Sequence, residues 1–107
     1  MRVPSTILIC DNEEPLRALV RATLGSDDYT ILEAGDGEEA LELARDRRPD
    51  LVVLDVMMPG RSGLEVLAEL RGDPTLASTP VLMLTARAQA YDREAAPIRL
   101  LHLASLF

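Results

Sequence analysis

The chain has 107 residues, one cysteine, and a net charge of −7 from 18 acidic and 11 basic residues. That length fits one domain with its own core, and a single cysteine excludes an internal disulfide, as expected in a reducing cytosol. The acidic balance disfavours nucleic acid as a partner, and the N-terminal apolar run is too short for a signal peptide or a membrane span. We therefore expect one cytoplasmic domain over residues 1–107, without membrane contact.

Four short apolar runs, rich in β-branched residues, predict buried strands. In chain order they are Thr6–Cys10, Tyr29–Glu33, Leu51–Asp55 and Val81–Thr85.

Three stretches between these runs have helical periodicity. The first has a stripe at i, i+3, i+4, i+7 and i+8, followed by a glycine: Leu16, Leu19, Val20, Thr23 and Leu24. The second opens at Asp36, an N-cap residue with Glu39 three positions on, and ends before Pro49. The third runs from Gly63 to Leu70, and its predicted apolar face is Leu64, Leu67 and Leu70.

The alternation of strand and helix predicts an α/β fold with a parallel sheet covered on both faces. Right-handed crossovers then require one reversal of winding, and a reversal after the second strand gives the flavodoxin-like order 2-1-3-4. Ligands of such sheets bind outside the carboxyl ends of the strands, at the reversal. Two predicted strands end there in acids, Asp11 and Asp55.

Either acid alone could simply solvate the start of a loop. Together they converge on one crevice, where hard carboxylate oxygens suit Mg²⁺. A carboxylate beside Mg²⁺ can act as the nucleophile toward a phosphoryl group. The strand ends therefore indicate a site for phosphoryl chemistry.

Three segments in order carry a family resemblance: Ile7–Arg17, Leu51–Leu67 and Pro80–Ala86. They contain ILICDNEEPLR, LVVLDVMMPGRSGLEVL and PVLMLTA. Over about residues 1–96 the chain resembles the receiver (phosphoacceptor) domain of bacterial two-component response regulators. The resemblance implies a phosphorylated switch that serves a sensor histidine kinase or phosphotransfer protein and is not a turnover enzyme.

Residue by residue, the resemblance makes Asp55 the phosphoacceptor. It implies that Mg²⁺ is held by Asp11, Asn12 and Asp55 together with the backbone carbonyl of Met57. Thr85 would be the switch hydroxyl that turns toward the new phosphoryl group, whose two negative charges bias a two-state element.

The chain departs from the family at two places. Asn12 stands where a second carboxylate is usual, and all eleven basic residues are arginine, so the family lysine has no counterpart. Arg99 is no simple substitute, because guanidinium is a wide planar fork rather than a compact ammonium. We expect weakened Mg²⁺ binding and impaired phosphorylation.

The tail, residues 97–107, is a further departure, because the fifth strand and fifth helix of the family are missing or replaced there. Pro97 should end the fourth helix. The tail could be a replacement strand, a helix, or a foreign sequence produced by a frame change, which we favour. Its six large apolar residues predict that it covers the edge of the fourth strand or mediates a homodimer.

Two other functions compete with the phosphorylated switch. A non-catalytic pseudo-receiver would keep the fold as a protein-interaction module. A phosphatase-like hydrolase with an aspartate nucleophile needs an acid two residues later, where Met57 stands, so we disfavour it.

Overall fold

Strands and helices alternate along the chain as the sequence pattern predicts. The computed structural model describes residues 5–24 and 28–84, together with the backbone of a strand at 100–103. The elements are β1 Ser5–Cys10, α1 Glu14–Leu24, β2 Tyr29–Ala34, α2 Gly37–Arg47, β3 Leu51–Asp55, α3 Gly63–Gly72, β4 Val81–Leu84 and β5 Leu100–Leu103. In the described part of the chain, no helix is both long enough and apolar enough to cross a bilayer.

The sheet has the order β2-β1-β3-β4-β5. The first four strands in this order are parallel, so the predicted parallel order 2-1-3-4 is confirmed. β1 lies between β2 and β3, with Ile7 opposite Leu51 and Cys10 opposite Leu54. The winding therefore reverses after β2, which opens a crevice at the carboxyl ends of β1 and β3.

Apolar side chains fill both faces of the sheet because successive strand residues point to opposite sides. Leu8, Cys10 and Leu54 belong to one core cluster, which also includes residues of α2 and α3. Ile7, Ile9, Val53 and Leu84 form the other cluster with Val20 of α1. Helices thus pack on both sides of the strands that end at the crevice.

Side-chain caps define the starts of α2 and α3. Asp36 is the N-cap of α2 as predicted, and its Oδ1 accepts a hydrogen bond from the Glu39 backbone N–H at 2.9 Å. Ser62 begins α3 through a capping box with Glu65. Such caps satisfy N–H groups that have no partner inside the helix and are worth about 1 kcal/mol each.

The predicted apolar faces of α1 and α3 need correction. Leu64 is 60% exposed and Leu19 45% exposed. In α3 the buried stripe is Gly63, Val66 and Leu70, spaced i, i+3 and i+7, so Leu64 points about 100° away from it. The close contact of Gly63 with β3, described below, sets this rotation, and apolar spacing alone could not reveal it.

The tail contributes a replacement strand. β5 pairs antiparallel with β4, with Leu82 opposite Leu103 and Leu84 opposite Leu100, and the register shifts between these pairs. The tail therefore covers the fourth-strand edge, as one of the sequence alternatives predicted. The predicted fourth helix and its break at Pro97 lie outside the described residues.

We expect the tail to be required for a monomeric sheet. A chain that ends at residue 96 should unfold at a lower temperature and self-associate, because the β4 edge then offers unpaired backbone groups. A chain that ends at residue 103 is the matched control, since it keeps β5. Light scattering over a concentration series and thermal unfolding compare both with the full chain. A residue 1–96 chain as stable and monomeric as the full chain would contradict this role.

Candidate functional site

Two buried carboxylates follow directly on the ends of neighbouring strands. Asp11 comes after β1, and Asp55 is the last residue of β3. Because Cys10 lies opposite Leu54 in the parallel register, the two acids are adjacent across the strands. Asp11 is 1% exposed and Asp55 is fully buried. The structure therefore brings these two predicted site residues together at the crevice.

Each carboxylate also shapes the loop that follows it. Asp11 Oδ1 accepts a hydrogen bond from the Glu13 N–H at 2.9 Å, and Asp55 Oδ1 accepts one from the Met57 N–H at 3.1 Å. Both are side chain to backbone bonds spanning two residues, a geometry that aspartate favours at turns. The loops in turn restrict the rotamers of the two carboxylates, so the site is preorganised before any ligand arrives.

The start of α3 rests on the backbone of Asp55. The Gly63 N–H donates to the Val56 carbonyl at 3.0 Å. A Cβ atom at Gly63 would lie only 2.1 Å from the Asp55 carbonyl oxygen. Only glycine permits this approach, so the loop from Asp55 to Gly63 is closed tightly against the strand end.

Cys10 lies beneath the acids and is fully buried. Burial, followed by the nearby carboxylates Asp11, Asp36, Asp55 and Glu39, raises the pKa of its thiol to about 12. Its Sγ contacts the Asp36 carbonyl at 3.6 Å and Met58 Sδ at 3.5 Å. Cys10 is therefore a packing residue with an unreactive thiol at ordinary pH, and its raised pKa reflects its burial first and the nearby carboxylates second.

An arginine that the sequence reasoning missed links the first acidic loop to β2. Arg17 Nη1 donates to the Asp11 backbone carbonyl at 2.7 Å, and Arg17 Nε donates to Glu33 Oε1 at 3.1 Å. Arg21 binds the other oxygen of Glu33. Burial raises the pKa of Glu33, but the hydrogen bonds from Arg21 and Arg17 outweigh it and leave that pKa below its ordinary value. The available signal was an acid inside an apolar strand, with two arginines one helical turn apart.

Comparison with known proteins decides the family. The sequence profile described as "Response regulator receiver domain" matches residues 7–98. The chain belongs to this family. It is 47% identical over 91 residues to the probable transcriptional regulatory protein TcrX of Mycobacterium tuberculosis, covering 84% of this chain and 38% of TcrX. It is 42% identical over 87 residues to the transcriptional regulatory protein PhoP of Bacillus subtilis, covering 81% of this chain and 35% of PhoP.

Solved receiver structures share the fold. The N-terminal domain of a response regulator receiver protein from Methanoculleus marisnigri JR1 superposes with a TM-score of 0.73 at 38% identity, over 78% of this chain and 68% of that one. The receiver domain of the sensor histidine kinase PA1611 from Pseudomonas aeruginosa PAO1, solved with magnesium in its active site cleft, superposes with a TM-score of 0.74 at 27% identity, over 86% and 75% of the two chains. This chain is thus a flavodoxin-like receiver domain of the two-component type, and it spans less than two fifths of the curated relatives named above.

Of the other predicted site residues, Asn12 and Met57 are not buried together with the two acids in the described part of the chain. Asn12 is exposed beside Asp11. Met57 is 52% exposed, and its backbone N–H donates to Asp55 Oδ1. Thr85 lies outside the described residues. Within residues 5–24 and 28–84, no group of three histidine, cysteine or acidic side chains is placed to hold a metal; Asn12 occupies the position where the family has an acid.

Replacement of Gly63 tests how tightly the Asp55 loop is closed. We expect Gly63→Ala to lower the free energy of unfolding by roughly 3 kcal/mol, because the new methyl group must displace the Asp55 carbonyl. Gly72→Ala is the matched control at the other end of α3, where a Cβ meets nothing within 4 Å. The free energy of unfolding of Gly72→Ala should stay within about 1 kcal/mol of that of the parent chain. Urea unfolding measures both, and equal stability of the two variants would refute the close contact.

Proposed function

We propose that this receiver domain accepts a phosphoryl group on Asp55 from the phosphohistidine of a sensor histidine kinase or phosphotransfer protein, with Mg²⁺ as cofactor. The observation that supports this most is the pairing of two buried carboxylates, Asp11 and Asp55, at the winding reversal of a receiver fold. In the transfer, a carboxylate oxygen of Asp55 forms a bond to phosphorus as the phosphorus–nitrogen bond breaks. The imidazole leaves with the electron pair of that bond.

The donor set fits Mg²⁺. Two carboxylates from adjacent strand ends, the Asn12 amide oxygen and the Met57 backbone carbonyl are all hard oxygen ligands, the type that Mg²⁺ prefers. When bound, the cation would offset the mutual repulsion of the carboxylates and the incoming phosphoryl oxygens. The magnesium in the cleft of the PA1611 receiver domain supports the same assignment here.

The chain's own groups position the nucleophile. The Met57 N–H donates to Asp55 Oδ1 at 3.1 Å, and Gly63 packs on the Asp55 backbone. The orientation of the carboxylate toward a phosphoryl donor is therefore fixed. Burial excludes bulk water from Asp55, which protects the acyl phosphate once it forms. Thr85 is proposed as the switch hydroxyl from the family resemblance. Stoichiometric self-modification of Asp55, without turnover of a substrate, is the expected outcome.

Two replacements should weaken the reaction. Asn12 supplies an oxygen but no charge, and a unit charge at about 4 Å is worth roughly 4 kcal/mol at an effective dielectric of 20 before desolvation costs. The chain contains no lysine to pair with the phosphoryl group. These same replacements favour a second candidate, a pseudo-receiver that binds partners without being phosphorylated.

Output and self-association are part of the proposal. TcrX and PhoP are transcriptional regulatory proteins, but an acidic receiver domain with net charge −7 is a poor match for DNA. We place any DNA contact in regions of such proteins that this chain does not span. The fourth-strand edge and the tail are the proposed surface for a homodimer: where β5 does not cover β4, that edge can pair with a second copy.

Acetyl phosphate with Mg²⁺ should phosphorylate the chain once, on Asp55. Asp55→Asn removes the nucleophile at nearly constant shape, whereas Asp46→Asn makes the same chemical change on the exposed face of α2 and should be labelled like the parent. Intact-mass spectrometry with and without a chelator measures the outcome. Labelling that survives Asp55→Asn would refute the site, and no labelling of the parent at any Mg²⁺ concentration would favour the pseudo-receiver.

Restoring a carboxylate at position 12 should strengthen metal binding. We expect Asn12→Asp to lower the Mg²⁺ dissociation constant about tenfold, which is about 1.4 kcal/mol, and to lower stability without metal because like charges crowd together. Ala68→Asp adds the same charge on exposed α3 and should leave the constant unchanged. Calorimetric titration of Mg²⁺ into the parent chain and both variants measures the three dissociation constants. An unchanged constant for Asn12→Asp would place residue 12 outside the metal site.

A further inference from the structure

We propose that Arg17 is a positioning residue for the metal site, acting through the backbone carbonyl of Asp11. This inference rests on the proposed function, since it concerns the loop that would present Asp11 to Mg²⁺. The two described hydrogen bonds of the Arg17 guanidinium are donated to the Asp11 backbone carbonyl and to Glu33.

Arg17 holds the Asp11 backbone carbonyl through a short hydrogen bond. Arg17 Nη1 lies 2.7 Å from the Asp11 carbonyl oxygen, a length typical of a charge-assisted hydrogen bond. The same residue, Asp11, receives the Glu13 N–H on its side-chain Oδ1 and donates its own N–H to the Ala34 carbonyl at 3.1 Å. The Asp11 peptide groups are thus held on both sides, and Arg17 supplies the restraint on the carbonyl.

The Arg17 side chain is itself held in place by Glu33 of β2. Its Nε donates to Glu33 Oε1 at 3.1 Å, and the side chain is 17% exposed. Arg21 holds the second oxygen of Glu33, so the acceptor cannot turn away freely. The Arg17 guanidinium also lies against Gly35, whose Cβ position would be 3.5 Å from Nη1. A planar fork with one arm on β2 and one on the Asp11 loop ties the two strand ends together.

The orienting effect of Arg17 and the effect of its charge act on Mg²⁺ binding in opposite directions. A cation near a metal site repels Mg²⁺, so removal of Arg17 or of Arg21 should, by charge alone, tighten binding or leave it unchanged. Loss of a group that orients a metal ligand typically weakens binding 10- to 100-fold. The two explanations therefore predict opposite signs for Arg17, and Arg21 provides the matched control because it binds Glu33 without touching Asp11.

The test is calorimetric titration of Mg²⁺ into the parent chain and the variants Arg17→Gln, Arg17→Lys and Arg21→Gln, well below their unfolding temperatures. We expect Arg17→Gln to raise the dissociation constant about tenfold and Arg21→Gln to change it less than twofold. Arg17→Lys keeps the positive charge and can still donate one of the two hydrogen bonds. Its dissociation constant should therefore lie between those of the parent and Arg17→Gln. Arg17→Lys also serves as the test if Arg17→Gln does not fold.

A metal-free readout accompanies the titration. In magnesium-free NMR spectra, the carbonyl carbon of Asp11 should shift in Arg17→Gln and stay in place in Arg21→Gln, because only the first variant removes its donor. A parent chain that binds no Mg²⁺ would overturn the proposed function and this inference with it. A parent that binds Mg²⁺, with an equal or tighter constant in Arg17→Gln, would overturn the positioning role alone.

Discussion

The parallel pairing of β1 with β3 is the constraint on which the site depends. It places Cys10 beside Leu54, and the next residue on each strand is an aspartate. Two carboxylates side by side in this position, 1% and 0% exposed, carry like charges, and bringing these charges together in a buried site is costly. Backbone N–H groups of the following loops offset part of that cost, and a cation between the acids would offset more. The strand pairing thus places two negative charges side by side, and the proposed Mg²⁺ would offset them.

The loops around the two acids are held by different means. The Asp55 loop is closed by steric fit, because α3 starts with a glycine in contact with the Asp55 backbone. The Arg61 guanidinium further ties this loop to Glu38 of α2 and Glu69 of α3, although such exposed pairs contribute little stability. The Asp11 loop is held by hydrogen bonds and by Arg17.

Divergence from the family is concentrated where the core is least involved. Asn12 is exposed, so a change of charge there alters the crevice without disturbing packing. β5 sits at the edge of the sheet and pairs antiparallel with β4, and an edge position accepts an unrelated sequence so long as it can supply backbone hydrogen bonds. The strands that bear the two acids, in contrast, are packed on both faces. A receiver fold can therefore be kept while a residue beside its acids and its last strand change.

The sequence by itself determined the first four strands, the first three helices and the two acids at the crevice, because apolar periodicity and strand-terminal residues are local signals that survive without coordinates. The order 2-1-3-4 followed only from placing the reversal after the second strand, as the family resemblance implies. The sequence also indicated Asp36 as a cap. Only the tertiary structure decided the rotation of α3 that exposes Leu64, the antiparallel entry of β5 and the link from Arg17 to Asp11. Each of these depends on a contact between segments distant in sequence or on backbone geometry: Gly63 against the end of β3, the open edge of β4, and Glu33 across from α1. Residue spacing along one segment cannot encode such contacts, since they are fixed only when the segments pack.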